Sequence, residues 1–159
     1  FKTLQDNPRA LLNEWRVKYV SNIIKPMITK AAFDLVESHR ERGHQLLIIT
    51  ATNSFITKPI ADLFGIDDLI GTDPEEVDGQ FTGRVTGTPS FQEGKITRLY
   101  SWLESKQLSF DAFEKTFFYS DSMNDIPLLE IVSNPVATNP DSTLQKKAID
   151  NDWPIIHLR

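Results

Sequence analysis

The chain has 159 residues, enough for one domain with a substantial core, and its 40% hydrophobic and 25% charged residues are those of an ordinary globular protein. Lys and Arg number 17 against 22 Asp and Glu, a net charge of −5, which argues against the basic face that nucleic-acid binding needs. Without cysteine there is no disulfide framework or zinc-thiolate site, and the longest apolar run falls far short of the roughly 20 residues of a membrane span, so a cytoplasmic setting is expected. The chain opens on Phe1 in a charged segment with no start signal, and is expected to be a piece of something longer.

"NPRALLNEWRVKYVSNIIKPM" predicts a helix with Leu12, Trp15, Tyr19 and Ile23 near one face, interrupted at Pro26. A second helix carries Ala32, Leu35, Val36 and His39 at helical spacing and stops at Gly43. "QLLIITAT" is a continuous apolar run, as in a parallel strand buried on both faces. A helix from about Thr57 to Phe64 follows, with Pro59 placed in its first turn. "EEVDGQFTGRVTG" reads as a hairpin about Asp78-Gly79, entered through a solvated acidic loop.

Beyond it, Ile96, Leu99, Tyr100 and Leu103 mark an amphipathic helix, with Tyr100 and Trp102 expected against the sheet. "TFFYS" is a second buried strand, leading to a helix through Leu128, Leu129 and Val132. "NPVAT" is a short strand, "DSTLQKKAID" a helix with Asp141 as N-cap, and "WPIIHL" a last strand. Strands alternating with helices predict an α/β fold, mostly parallel, with one antiparallel hairpin. His39, His44 and His157 are scattered and lack ligand spacing.

In open α/β sheets ligands bind beyond the carboxyl ends of the strands, and three polar clusters fall there. In "TATN" the Thr50 hydroxyl and the backbone N–H groups of the turn could hold an anion; equally, Thr50 ends a strand and Asn53 or Ser54 caps a helix. Lys95, after Gly94, opens a helix where its charge opposes the macrodipole; an anionic ligand would explain it, and so would simple surface exposure. "SDSMND" crowds Asp121 and Asp125 one helical turn apart. A hard divalent cation would relieve their repulsion, although Asp121 and Asn124 could also serve as caps. A hydroxyl, an ammonium and paired carboxylates are the parts for phosphoryl transfer, with a nucleophile still to be found.

The order of these clusters resembles motifs II, III and IV of the haloacid dehalogenase superfamily of phosphatases. "TATNSFITKPIADLFGI", "DGQFTGRVTG", "EGKITRL" and "NPVATNPD" resemble its subfamily IB, the phosphoserine-phosphatase-like and histidinol-phosphatase-like hydrolases. The resemblance runs from about residue 25 to 159. It implies a Rossmann-like three-layer core over residues 26–159, with residues 1–25 a remnant of a helical cap. It also implies a small phosphorylated metabolite as substrate and Mg²⁺ as cofactor. Asp121 would be a direct metal ligand and Asp125 an outer-sphere one, ordering bound water or Lys95. Asn124 would lie near the phosphate, Thr50 and the Ala51 N–H would bind phosphoryl oxygens, and Lys95 would neutralise the phosphate. Thr52, Asn53 and Phe55 would line the substrate pocket. Ser120 stands where the family commonly has glycine.

The family's nucleophile comes from a D-x-D-x-[TV] signature on a central strand, and no such signature occurs in this sequence. The motif I strand is therefore expected to be missing, leaving open edges on "LLIIT" and "TFFYS" that another segment or molecule completes. A phosphotransferase, or a phosphate-binding domain without catalysis, would use the same parts.

Overall fold

The computed structural model describes residues 1–159, which divide into two compact units, Phe1–Ser90 and Phe91–Arg159. The first holds α1 (Lys2–Gln5), α2 (Arg9–Tyr19), a π-helical turn (Val20–Ile24), α3 (Lys25–Met27), α4 (Lys30–Glu41), β1 (Leu47–Asn53), α5 (Ser54–Leu63), β2 (Asp68–Thr72), β3 (Pro74–Val77) and β4 (Gln80–Val85). The second holds α6 (Glu93–Ser105), β5 (Phe117–Ser120), a 3₁₀ turn (Met123–Asp125), α7 (Ile126–Leu129), β6 (Asn134–Thr138), α8 (Ser142–Asp150) and β7 (Ile155–Ile156). No helix is long and apolar enough to cross a membrane.

In the first unit β1 and β2 pair in parallel, Leu47 opposite Asp68 and Ile49 opposite Ile70. The sequence reading misses β2, whose "DLIGT" is short and has Asp and Gly among its five residues. The β3–β4 hairpin turns where expected: Asp78 (φ 50°) and Gly79 (φ 77°) are both left-handed, the requirement of a type I′ turn. The acidic stretch is strand rather than loop, because Glu75 accepts from Thr82 and Arg84 and Glu76 pairs with Arg9.

Two helix expectations need correction. Trp15, Tyr19 and Ile23 are exposed, and Leu12 and Val20 are the buried positions of the first helical stretch. Helical geometry continues past Pro26 as far as Met27, because the preceding turn widens and the Lys25 N–H reaches the Val20 carbonyl five residues back. In α5, Pro59 is the sixth residue and not in the first turn. It cannot donate to the Phe55 carbonyl, and the Arg16 guanidinium does so instead at 3.1 Å while lying over the Phe55 ring. Leu4, Leu12, Phe55 and Phe81 form this unit's core, with the two phenyl rings edge to face.

The second unit is a three-stranded parallel sheet in the order β5-β6-β7. Register is continuous from Phe117 opposite Asn134 to Ser120 opposite Ala137. Leu129, Ala137, Leu144 and Ala148 are fully buried, with Phe118, Ile126 and Trp153 packed against them. The helix after β5 ends at Leu129, short of Val132, and Tyr100 faces outward beside Phe110 rather than packing on the sheet. β1 pairs only with β2, and β5 only with β6.

Candidate active site

β5 ends at Ser120, and the chain then turns through Asp121 and Ser122 into the 3₁₀ turn that carries Asp125. The Asp125 carboxylate is buried and both its oxygens are engaged. Oδ1 accepts from the Lys95 ammonium at 2.5 Å and Oδ2 from the Ser120 hydroxyl at 2.7 Å. Lys95 is the third residue of α6 and is itself only 5% exposed. Removing two charges from water is tolerable only when the pair is close and hydrogen-bonded, as it is here. An ammonium carries three donors, and Asp125 takes one of them.

This geometry accounts for two aspartates so close in sequence. Asp125 is neutralised in the interior by Lys95, whereas the Asp121 side chain is 60% exposed and meets only Arg159, at 3.6 Å. The Lys95 ammonium offsets the charge of Asp125 and water screens that of Asp121, which together weaken their repulsion. The lysine that seems misplaced at a helix start is there for the aspartate.

The intervening backbone is tied down at each step. Ser122 caps the turn by accepting the Asn124 N–H at 3.2 Å, a role that the alternative to metal binding offered to Asp121 and Asn124. The Ser120 hydroxyl accepts the Ser122 N–H at 3.2 Å. Gln92 donates to the Asn124 side-chain oxygen at 3.3 Å. Gln92, not Gly94, supplies the turn before α6, with φ 48° and ψ −123°, an unusual conformation for a residue with a Cβ. Asp141 accepts the N–H groups of Leu144 and Thr143 at 2.8 and 3.0 Å, as a helix cap should, and also that of Met123 at 2.6 Å. These backbone donors, Leu144 foremost, hold its carboxyl below the usual Asp range.

The other expected residues lie in the first unit. Thr50 is half-buried on β1 and its hydroxyl accepts the Thr52 N–H at 3.2 Å; Ala51 and Thr52 are exposed. Asn53 caps α5 by accepting the Ile56 N–H at 3.0 Å. Gly71 of β2 lies beneath this segment, where a Cβ would come within 3.0 Å of the Thr52 carbonyl oxygen and 3.1 Å of the Ser54 nitrogen. Phe55, expected in the pocket wall, is buried in the core of the unit against Phe81 and Arg16. His39 and His44, apparently scattered in sequence, meet with their Nδ1 atoms 2.7 Å apart.

The donor set suits a hard cation. No group of three or more His, Cys, Asp or Glu gathers to hold a metal. The one open carboxylate here is that of Asp121, and Mg²⁺ is a cation that can use one or two carboxylates and complete its shell with water and phosphate. Ser120, Gln92 and Asp141 are the residues that sequence reasoning passed over as members of this site. The Ser120 and Gln92 roles depend on contacts that leave no periodic trace; Asp141 announces its cap but not its second oxygen.

Comparison with known proteins places these features in context. A family model described as haloacid dehalogenase-like hydrolase matches residues 1–130. A histidinol-phosphatase of Neisseria meningitidis serogroup C is 45% identical over 149 residues, covering 93% of this chain and 67% of the relative. A phosphoserine phosphatase of Mycobacterium tuberculosis is 35% identical over 137 residues, 86% of this chain but 44% of the relative. A solved structure of a protein of unknown function from Bordetella pertussis superposes with a TM-score of 0.96 at 44% identity, covering 98% of this chain and 70% of that one. The chain thus spans between about half and two thirds of its relatives.

Proposed function

From the premise that this chain belongs to the haloacid dehalogenase-like hydrolase family, we propose that it forms the metal- and phosphate-binding part of a phosphomonoester hydrolase acting on a small phosphorylated metabolite. The observation that carries the reading is the buried Lys95–Asp125–Ser120 chain beside the open carboxylate of Asp121. Asp121 is the residue that would hold Mg²⁺, and Asp125 acts through Lys95. Lys95 neutralises phosphoryl oxygens, and Asn124, steadied by Gln92, is a polar neighbour for the phosphate. In the first unit, the Thr50 hydroxyl and the Ala51 N–H are the proposed phosphoryl donors, with Thr52 and Asn53 near the substrate. The bound metal would supply charge neutralisation as the phosphoryl group moves.

In this reading the phosphoryl group passes to an aspartate and then to water; that aspartate belongs to a D-x-D-x-[TV] signature that the present sequence does not contain. Histidinol phosphate and phosphoserine are the substrate classes suggested by the relatives' names. The test is phosphate release from both compounds by the complete protein, with and without Mg²⁺. Asp121→Asn is expected to lower turnover at least 100-fold, the scale of losing one preorganised charge-stabilising group. Metal and phosphate binding with no release of phosphate from any monoester would instead point to a binding domain.

A further inference from the structure

The open carboxylate of Asp121 has no partner of its own except Arg159 at 3.6 Å, so its position is set by the backbone that carries it. Beyond the Ser120 hydroxyl on Ser122, that backbone is held by a residue distant in sequence, Asp141. Asp141 donates its N–H to the Asp121 carbonyl at 2.8 Å and accepts the Met123 N–H through Oδ2 at 2.6 Å. The two contacts grip the chain on either side of Ser122. Oδ1 meanwhile caps α8 through Thr143 and Leu144. Capping needs one oxygen, and serine or asparagine would do it as well. The second oxygen has no bearing on α8; its work is on the 121–123 segment.

We propose that Asp141 is a positioning residue for the metal-binding carboxylate, fixing the Asp121–Met123 backbone to the start of α8 so that Asp121 is pre-set to receive the cation. The inference rests on the reading of Asp121 as a metal ligand. Groups that orient a ligand from behind characteristically change metal affinity 10- to 100-fold when altered. A backbone hydrogen bond to an ionised carboxylate is also among the stronger neutral-to-charged contacts available for the purpose.

Two variants of the complete protein separate this role from a merely structural one. Asp141→Asn keeps an oxygen for Thr143 and Leu144 but turns an amide donor towards the Met123 N–H. Met123→Pro removes that N–H and leaves Asp141 intact. Proline is tolerated there, since Met123 begins the 3₁₀ turn and Ser122 before it is extended at φ −117° and ψ 136°. Mn²⁺ affinity is read directly by electron paramagnetic resonance titration, alongside the Mg²⁺ half-saturation of phosphate release and the thermal midpoint. Both variants are expected to weaken Mn²⁺ binding about tenfold. The Mg²⁺ requirement should rise in step, and KM for the phosphomonoester at saturating Mg²⁺ should stay within about twofold. The double variant is expected to be no worse than the poorer single one, because both remove the same contact. Mn²⁺ affinity within twofold of the parent in either folded variant overturns the proposal. Failure of the parent protein itself to bind Mn²⁺ would instead overturn the metal reading of Asp121.

Discussion

At the scale of single residues, the informative groups are those whose charge the interior has had to accommodate. Lys95→Met would strand the Asp125 carboxylate with only the Ser120 hydroxyl for company, and breaking a buried pair in this way costs about 3 kcal/mol or more. Removing both charges with Lys95→Met/Asp125→Leu should recover most of that loss in urea denaturation and, on the proposed function, abolish phosphate release. If the double variant proves as unstable as the single one, the pair is structural. His39 offers a test by pH. Burial, together with the neighbouring His44 and Arg42, holds its pKa below the ordinary value. The unfolded chain then binds more protons than the folded one, so stability is complete above about pH 6.5 and falls as pH drops towards the folded-state pKa. The thermal midpoint of wild type should therefore decline more steeply between pH 7 and 5 than that of His39→Gln. Equal slopes would remove His39 as the source.

At the scale of elements, α5 shows a local fault repaired from a distance. Pro59 leaves the Phe55 carbonyl without its helical donor, and Arg16 of α2 supplies one. Arg16→Ala should cost about 1–2 kcal/mol through the lost hydrogen bond and ring contact. In a Pro59→Ala background the helix can make its own bond, so the same change should cost less by about 1 kcal/mol. Additive losses in denaturant titrations would mean that Arg16 matters only by stacking. The depth of Pro59 was partly legible: Ile56, Ile60 and Leu63 run at helical spacing behind the capping Asn53, which starts the helix five residues before the proline. Elements were legible wherever a pattern lies within one segment: the Asp78-Gly79 turn, the β5 run and the Asp141 cap. They were not legible where the deciding partner is remote. Nothing near Ser120 predicts that its hydroxyl serves Asp125 and Ser122 together, and the 2.7 Å meeting of His39 and His44 needs a chain reversal at left-handed Gly43.

At the scale of the whole molecule, the strands themselves set the last question. Leu47, Ile48 and Ile49 are apolar on both faces of β1, and Phe117, Phe118 and Tyr119 are nearly so on β5, the pattern of central strands in a parallel sheet. Yet each pairs on one side only and its side chains are mostly half-buried. A strand with apolar faces and a strand neighbour on one side only is a template for another strand. We propose that the open side of each strand is completed by another strand, from this polypeptide or another molecule. A polypeptide of residues 1–159 alone should then associate as its concentration rises, measured by sedimentation velocity from about 1 to 100 µM, since unpaired edges promote joining at micromolar concentrations and above. Hydrogen exchange gives the residue-level counterpart. Amides of β1 and β5 that do not bond to β2 or β6 should exchange quickly in dilute 1–159 and become protected in the complete protein. A polypeptide that stays monomeric throughout that range, with those amides already protected, would show that each sheet is finished as it stands.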